Sequence, residues 1–382
     1  MEKEIIFISH NASRSGAPIL LLQFLQWFKN NTDNQFSIIL GMGGELETEF
    51  SKLAPTLIFS REAPPKLHER IKRRFFRHDP NLRISKWIAN RNIELIYSNT
   101  VVNGDILKYL SFLDCPVISH VHELEYAIQS YGMDQFEKTK KCTTHFIACA
   151  KAVKTNLVEN HNILPQSITV VHEFIPIDRI RTDSLNLKLL GSEVSISEQT
   201  FIVGASGSTS DWRKGADLFI QLAYIVKYKS IDLPIRFIWI GNRQEGMEYI
   251  TIQQDIVKAN LENYIYFLGS KHNPLDYFTR FDVFALMSRD DPYPLVCLES
   301  ALLAKPIVCF DKSGGEPEFV ENDCGFVVPY LDLNTMADRI LELYHSSELR
   351  QKLGENAKKK VTERHSLEIA ASKILEVIEY HA

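Results

Sequence analysis

The chain alternates short, continuous apolar runs with longer amphipathic stretches over its whole length of 382 residues. Runs such as Phe201–Ala205 and Pro306–Phe310 are too short for buried helices, and polar residues do not occupy every second position in them. Strands of this kind are covered on both faces, which is typical of parallel sheets lying between helices. The alternation therefore predicts an α/β fold.

The predicted strands fall into two sets, separated by a polar stretch from Phe174 to Thr200. The first set is Ile5–Ser9, Phe36–Leu40, Thr56–Phe59, Leu95–Ser98, Pro116–Ser119, His145–Ala148 and Ile168–Val171. The second set is Phe201–Ala205, Arg236–Ile240, Ile265–Leu268, Val283–Leu286, Pro306–Phe310 and Gly325–Val328. They predict two Rossmann-like domains, 1–180 and 181–365, with a linker near Pro176–Leu190. Ligands of such sheets bind beyond the carboxyl ends of the strands, so functional side chains are expected directly after strands.

Composition excludes several classes of protein. Hydrophobic residues make up 45% and charged residues 24% of the chain, and the net charge of −5 gives no basis for nucleic-acid binding. None of the six cysteines stands in a CxxC pair, so reduced thiols in a cytoplasmic protein are expected. The N-terminal MEKEIIFISH lacks the features of a signal peptide, and no apolar run reaches the ~18 residues that span a bilayer.

The segment SRDDPYPLVCLESALLAKPIVC, residues 288–309, predicts a loop, a helix that starts at Pro294 and a buried strand. Asp291 lies on the loop before the helix, and Glu299 lies inside the helix. Unpaired N–H groups at a helix N-terminus attract phosphate. Two carboxylates beside such an N-terminus suit a sugar nucleotide, because the acids accept hydrogen bonds from sugar and ribose hydroxyls. A surface helix with ordinary acids is the alternative.

At this point the chain resembles a known family. The spacing Asp291-x7-Glu299 is similar to the Glu-x7-Glu motif of the retaining glycosyltransferases of family four, with Asp in place of the first Glu. The following KPIVCFDKSGGEPEFVENDCGFVVP resembles that family's strand, Gly-Gly loop and Pro-Glu signature. The resemblance implies the GT-B fold, in which two Rossmann-like domains face each other across a cleft. It also implies an N-terminal acceptor domain, a C-terminal donor domain, and a C-terminal helix, 366–382, that packs on the first domain.

A second loop with small residues opens the donor domain. Ser206, Gly207 and Ser208 follow a predicted strand, and their backbone N–H groups can approach phosphate oxygens. Arg213 and Lys214 can add cationic donors. The resembling family usually carries Gly-Arg before this loop and Lys-Gly after it. Here that Arg is absent, so either Arg213 or the loop 206–208 takes over its charge.

The first domain offers a glycine turn and a histidine. Gly16 follows the first strand, where it would let backbone approach a ligand, although a plain strand–helix turn explains it equally well. His122, in SHVHEL, matches the histidine that the resembling family places near the donor sugar, and it does so better than His120. A metal site at His-x-His would need a third ligand that the sequence does not offer at recognisable spacing.

The basic run KLHERIKRRFFR, residues 66–77, interleaves cations with apolar residues. Such a run is compatible with an anionic membrane surface or an anionic acceptor, but a solvated helix or loop face is the simpler interpretation. Peripheral contact with the inner face of the membrane is therefore an open expectation.

From the resemblance we expect a retaining, metal-independent hexosyltransferase of polysaccharide biosynthesis without a cofactor. The donor is expected to be a UDP-sugar, with UDP-glucose preferred, and the acceptor a glycan or lipid-linked glycan. The expected catalytic residues are His122, Asp291, Glu299 and Lys214. The expected donor-binding residues are Gly16, Ser206, Gly207, Ser208, Arg213, Lys214, Gly241, Leu268, Gly269, Pro294, Leu295, Val296 and Glu299. The alternatives are a sugar-nucleotide-binding protein without turnover and a GT-B epimerase or phosphorylase.

Overall fold

The structure, a computed structural model, describes residues 2–60, 80–180, 185, 189–194, 196–241 and 245–382. It divides into two compact units: one contains the chain up to His172 together with Leu367–Ala382, and the other contains Glu173–Ser366. The predicted boundary lay later, after residue 180. The basic run 66–77 lies outside the described residues.

The first unit is built on a parallel sheet of seven strands in the order β3-β2-β1-β4-β5-β6-β7. Its strands are β1 Lys3–Ser9, β2 Gln35–Met42, β3 Thr56–Ser60, β4 Asn92–Asn99, β5 Val117–Val121, β6 His145–Ala148 and β7 Ile168–Val170. Its helices are α1 Gly16–Asn31, α2 Glu47–Leu53, α3 Pro80–Ile88, α4 Gly104–Leu110, α5 Glu125–Tyr131, α6 Met133–Cys142, α7 Lys151–Glu159 and, at the C-terminus, α16 Leu367–His381.

Both faces of this sheet are buried, as the continuous apolar runs predict. On one face, Phe7 of β1 packs edge-on against Phe24 and Phe28 of α1, with ring centroids 6.0 and 5.5 Å apart. On the other face, Ile6 and Ile8 belong to a buried cluster with residues of α3 and α4. Burying each of these side chains contributes about 1.5–3 kcal/mol. The last helix, α16, packs along α1 within the same unit.

The second unit is built on a parallel sheet of six strands in the order β10-β9-β8-β11-β12-β13. Its strands are β8 Phe201–Ser206, β9 Ile235–Ile240, β10 Ile265–Phe267, β11 Val283–Leu286, β12 Ile307–Phe310 and β13 Gly325–Val328. Its helices are α8 Leu189–Glu193, α9 Ala216–Lys229, α10 Met247–Lys258, α11 Leu275–Phe278, α12 Leu295–Leu302, α13 Glu316–Val320, α14 Leu333–His345 and α15 Ser347–Arg364.

The order of the second sheet creates a topological switch point between β8 and β11. From β8 the chain continues to β9 and β10 on one side, and from β11 it continues to β12 and β13 on the other. The loops after β8 and β11 therefore leave the sheet side by side, which is where open α/β sheets bind ligands. Rigid packing supports these loops, since Phe219 of α9 lies edge-on against Trp239, with ring centroids 5.3 Å apart.

Every strand predicted from the sequence has a counterpart at the same place in the chain, with ends that differ by at most three residues. The helix after the second Pro of DPYP begins at Leu295, because Pro294 adopts an extended conformation and occupies the cap position. Among the described residues, no helix is both long and apolar enough to cross a membrane.

Candidate active site

Three loops meet at the carboxyl ends of β8, β9 and β10, and glycine allows their contact. Gly207, Gly241 and Gly269 all have positive φ, at 159°, 128° and 75°. The Gly241 N–H donates to the Gly269 carbonyl over 2.9 Å, and a Cβ on Gly241 would lie 2.4 Å from the Gly207 carbonyl oxygen. The backbone of the predicted donor-binding loops is thus held close together, and neither side-chain bulk nor left-handed strain is tolerated there.

Side-chain and backbone hydrogen bonds fix the loop after β8. The Trp239 indole N–H donates to the Gly207 carbonyl over 2.9 Å, and the Gly207 N–H donates to the Ile240 carbonyl over 3.0 Å. Ser208 Oγ lies 2.9 Å from Ser210 Oγ. Leu268 donates its N–H to the Trp239 carbonyl over 3.0 Å. The predicted residues on β8, β9 and β10 are therefore brought to one edge of the sheet.

Lys214 and Asp291 join the two loops of the switch point. Lys214 Nζ lies 2.5 Å from Asp291 Oδ2, and the Ser288 hydroxyl donates to the same oxygen over 3.2 Å. The Asp291 side chain is 7% exposed and that of Lys214 is 24% exposed. A mostly buried ion pair of this kind fixes both side chains, because removing one partner would leave the other charge uncompensated.

Arg213 points to a different partner. Its guanidinium makes two hydrogen bonds to Asp211, from Nε to Oδ1 over 3.1 Å and from Nη2 to Oδ2 over 2.6 Å. Arg289 braces the same loop: its side chain donates to the Trp212 carbonyl and forms a forked pair with Asp217 of α9. Of the two predicted cations, Arg213 is neutralised by an acid two residues away, whereas Lys214 is paired across the switch point.

Glu299 lies one turn inside α12 and carries the most unusual electrostatics of the predicted acids. Burial raises the pKa of its carboxyl to about 7 from the ordinary 4.5. The N–H groups of Leu295 and Val296, in the first turn of the same helix, have no acceptor within the helix. The N-terminal part of α12 therefore offers both donors for an anion and a carboxyl group for hydroxyls.

Backbone hydrogen bonds join the Gly-Gly loop after β12 to Asp291. The Asp291 N–H donates to the Ser313 carbonyl over 2.7 Å, and the Gly315 N–H donates to the Asp291 carbonyl over 3.1 Å. Only Gly314 has positive φ, at 144°, since Gly315 has a φ of −87°.

In the first unit, a chain of hydrogen bonds links the predicted residues around Gly16 and His122. Asn99, at the end of β4, donates its amide Nδ2 to the carbonyl of Ala17 over 2.9 Å. Its Oδ1 lies 2.8 Å from Nε2 of His122, so the ring nitrogen is the donor. Strand β5 ends at Val121, just before His122.

Gly16 and His120 lie in very different surroundings. Gly16 begins α1 with ordinary φ, and a Cβ there would meet nothing within 4 Å, so its backbone needs no glycine. His120 is 4% exposed, its Nδ1 lies 2.6 Å from the hydroxyl of Tyr97, and burial lowers its pKa well below the ordinary value. His120 is thus a core residue, and the open space at Gly16 leaves room for a ligand.

Three participants were missed by sequence reasoning. Asn99 holds His122, Ser288 holds Asp291, and Glu316 lies fully buried beside the Gly-Gly loop. The position of Asn99 directly after a predicted strand was a usable signal. Ser288 stands in a loop and Glu316 at the start of the short helix α13, and the surroundings of both depend on tertiary contacts.

Residues 192–360 match the family model described as Glycosyl transferases group 1. The chain is 27% identical over 219 residues to the N-acetyl-alpha-D-glucosaminyl L-malate synthase of Bacillus anthracis, covering 56% of this chain and 54% of that protein. It is 29% identical over 163 residues to the poly(ribitol-phosphate) alpha-N-acetylglucosaminyltransferase of Staphylococcus aureus, covering 42% of this chain and 32% of that protein. The chain thus spans about half the length of the first relative and about a third of the second.

Among solved structures, Anabaena HepE in complex with UDP-glucose matches with a TM-score of 0.79 and 18% identity over 99% of each chain. This match and the two parallel sheets define a protein of the GT-B fold, as predicted. The resemblance to the family-four glycosyltransferases is also confirmed, with residues 192–360 carrying the group 1 match.

Proposed function

We propose that this protein is a glycosyltransferase that moves a sugar, glucose or a similar hexose, from a UDP-sugar to a glycan or lipid-linked glycan in polysaccharide biosynthesis. One observation carries the proposal. Lys214, on the loop after β8, pairs with Asp291, on the loop after β11, and this second loop leads into α12, which carries Glu299. This arrangement places an ammonium group, a helix N-terminus and carboxyl groups where α/β sheets bind ligands.

The proposed roles follow from charge. When the sugar leaves, negative charge develops on the diphosphate, and donors already fixed in place stabilise it. Lys214 and the N–H groups of Leu295 and Val296 are such donors. Glu299 accepts hydrogen bonds from the ribose hydroxyls, and Asp291 accepts them from the sugar hydroxyls. Because protein donors supply the positive charge, we propose that transfer needs no metal ion.

The remaining assignments rest on relatives and on the resemblance. The HepE structure was determined with UDP-glucose, which supports a UDP-sugar donor with glucose as the first sugar to test. The name of the Staphylococcus aureus relative describes transfer of N-acetylglucosamine to a polymer. Retention of the anomeric configuration and the role of His122 beside the donor sugar come from the family-four resemblance.

The test is a donor screen followed by a transfer assay. Purified protein is titrated by calorimetry with UDP-glucose, UDP-N-acetylglucosamine, GDP-mannose and ADP-glucose. UDP release is then measured with glycan and lipid-linked acceptors, in the presence and absence of EDTA. We expect saturable binding of a UDP-sugar and EDTA-insensitive turnover with an α-linked product by NMR. Binding of a purine donor alone, or of none of the four, refutes the proposed donor.

A second candidate is a sugar-nucleotide-binding protein without turnover. It is favoured by the pairing of both predicted cations with acids of the same protein, Arg213 with Asp211 and Lys214 with Asp291. The two candidates separate in one experiment, since binding of UDP-glucose without UDP release, across all acceptors and over long incubation, supports the binding protein.

A further inference from the structure

Glu316 is a buried acid to which the proposed reaction assigns no role. It begins α13 directly after the Gly-Gly loop, and its side chain is 0% exposed. Among the described residues, no hydrogen bond of good geometry reaches either of its carboxyl oxygens; the Ser313 hydroxyl lies near the carboxyl group but donates to the Phe310 carbonyl over 2.6 Å. A buried polar group without a partner costs about 1–3 kcal/mol, and a buried unpaired charge costs more. The burial of the Glu316 carboxyl group therefore calls for an explanation.

The surroundings of Glu316 place it beside the sugar-binding acid. Gly314 forms a β-bridge with Asp291, and a Cβ on Gly314 would lie 1.7 Å from the Asp291 carbonyl oxygen and 3.0 Å from Glu316 Oε2. The charged groups that face Glu316 are Asp291 and Lys214. The titratable thiols that face it are Cys297 of α12 and Cys309 of β12.

The charge balance of this group requires a proton. A single cation, Lys214, lies among two carboxyl groups, Asp291 and Glu316, and it pairs directly with Asp291. Burial first, and then the negative charge of Asp291, raise the pKa of Glu316 well above its ordinary value, while Ser313 and Lys214 lower it by less. Two adjacent carboxyl groups with one cation are neutral when one of them keeps its proton. Glu316 is the more deeply buried of the two and keeps it.

We propose that Glu316 is a positioning residue. As a neutral carboxylic acid, it holds Asp291 by a hydrogen bond in place of Lys214 when Lys214 turns toward the diphosphate of the donor. In the free protein Lys214 holds Asp291. When a diphosphate attracts Lys214, Asp291 loses its cation, and the Glu316 O–H donates a hydrogen bond to the Asp291 carboxylate. Asp291 is one methylene shorter than the Glu of the resembling family, so its orientation depends on such a partner. This inference rests on the proposed function.

The test compares Glu316→Gln, which keeps a donor, with Glu316→Leu, which removes it at similar volume. Both are measured for kcat, for donor KM and for thermal unfolding. We expect Glu316→Leu to lower kcat about tenfold with KM changed less than about threefold, and Glu316→Gln to stay within about threefold of the parent. The alkaline fall in kcat that follows loss of the Glu316 proton is expected to disappear in Glu316→Gln. It is expected to persist in Cys297→Ala and Cys309→Ala.

A readout without turnover is the infrared carbonyl stretch of a protonated carboxyl group. It is recorded at pH 8, where Glu299 is mostly ionised. We expect the band in the parent protein, its loss in Glu316→Gln, and its displacement on addition of UDP. A band that UDP leaves unchanged, or a Glu316→Leu variant with unchanged kcat, overturns the inference. If UDP displaces the band while no donor is ever turned over, the transferase proposal fails and the role of Glu316 beside Asp291 stands.

Discussion

Replacing Glu299 by Gln tests the donor site through a dependence on pH. With a pKa of about 7, the Glu299 carboxyl is about one tenth ionised at pH 6 and about nine tenths ionised at pH 8. The carboxylate accepts hydrogen bonds from both ribose hydroxyls on two separate oxygens, whereas the protonated group carries a donor O–H on one of them and is a weaker acceptor. The affinity for UDP-glucose is therefore expected to rise about ninefold from pH 6 to pH 8. The diphosphate ester of UDP-glucose does not itself titrate in this range, so the change reports on the protein.

In Glu299→Gln, the pH dependence between pH 6 and 8 is expected to disappear. Hydrogen bonds to a charged group are worth about 1.5–3 kcal/mol, so the affinity of the variant at pH 8 is expected to be about 10- to 100-fold lower. The assay is calorimetry at constant ionic strength, and Glu348→Gln, on an exposed helix of the same unit, is the matched control. If the variant keeps the ninefold rise, Glu299 is not the titrating group and the assignment of the ribose contact falls.

The same carboxyl group links stability to pH in the opposite direction. Its pKa is raised in the folded protein, so the folded state binds protons more tightly than the unfolded chain and loses stability as pH rises from about 4.5 to about 7. A difference of one between the folded and unfolded pKa corresponds to about 1.4 kcal/mol in the free energy of unfolding. Because Glu299 is partly accessible to solvent, the total loss of stability is expected to be about 1–3 kcal/mol. Glu299→Gln is therefore expected to raise the free energy of unfolding at pH 8 by about that amount and to leave it unchanged at pH 4. Denaturant unfolding at both values measures this, and an equal effect at both would contradict it.

The remaining predictions concern the cation and the glycine loops. Lys214→Met is expected to weaken UDP binding about 10- to 100-fold and to destabilise the protein by about 1–3 kcal/mol, because Asp291 is left without its cation. Adding Asp291→Asn is expected to restore stability but not UDP binding. Restored binding would contradict the assignment of Lys214. Gly241→Ala is expected to destabilise the protein by about 1–3 kcal/mol and to weaken UDP binding, because its positive φ and the contact of a new Cβ with the Gly207 carbonyl distort the loop. The matched control is Gly16→Ala. It is expected to leave stability unchanged or slightly higher, since the φ of Gly16 is ordinary and the space around it is open. Thermal unfolding measures the stability of both variants, and equal losses in the two would refute the argument from φ.

The fold was predictable because its signal is local and repeated. Each strand of both sheets is a short apolar run, and the burial of Ile5 to Ser9 or of Ile307 to Phe310 on both faces is what continuous apolarity indicates. The division into two units followed from the polar stretch after Phe174. Helix starts were less accurate: Pro294 suits the first helical position on sequence grounds, yet it adopts an extended backbone and precedes the helix.

The site was predictable only as far as chain position determines it. Residues that follow strands, such as Gly207, Gly241 and His122, were selected because the carboxyl ends of parallel strands meet at one edge, and Gly207 and Gly241 do lie against each other there. Their partners were not found, because pairing depends on distances in space. Arg213 was expected to face phosphate, but an acid two residues earlier in the chain accepts hydrogen bonds from two of its three guanidinium nitrogens. Nothing in the sequence distinguishes that pairing from an Arg held free for a ligand.

Pairing within the free site changes how donor affinity has to be understood. The ammonium group of Lys214 is already paired in the free protein, because it neutralises Asp291 in a largely buried position. Binding of a diphosphate is then an exchange of ion partners, and the affinity is the difference between two pairings rather than the full strength of one. An exchange of this kind favours a ligand that compensates Asp291 at the same moment, which a sugar with hydroxyl donors does and a free diphosphate does not. If the proposed function holds, a nucleotide sugar, with its sugar and diphosphate together, is therefore expected to be bound in preference to either part alone.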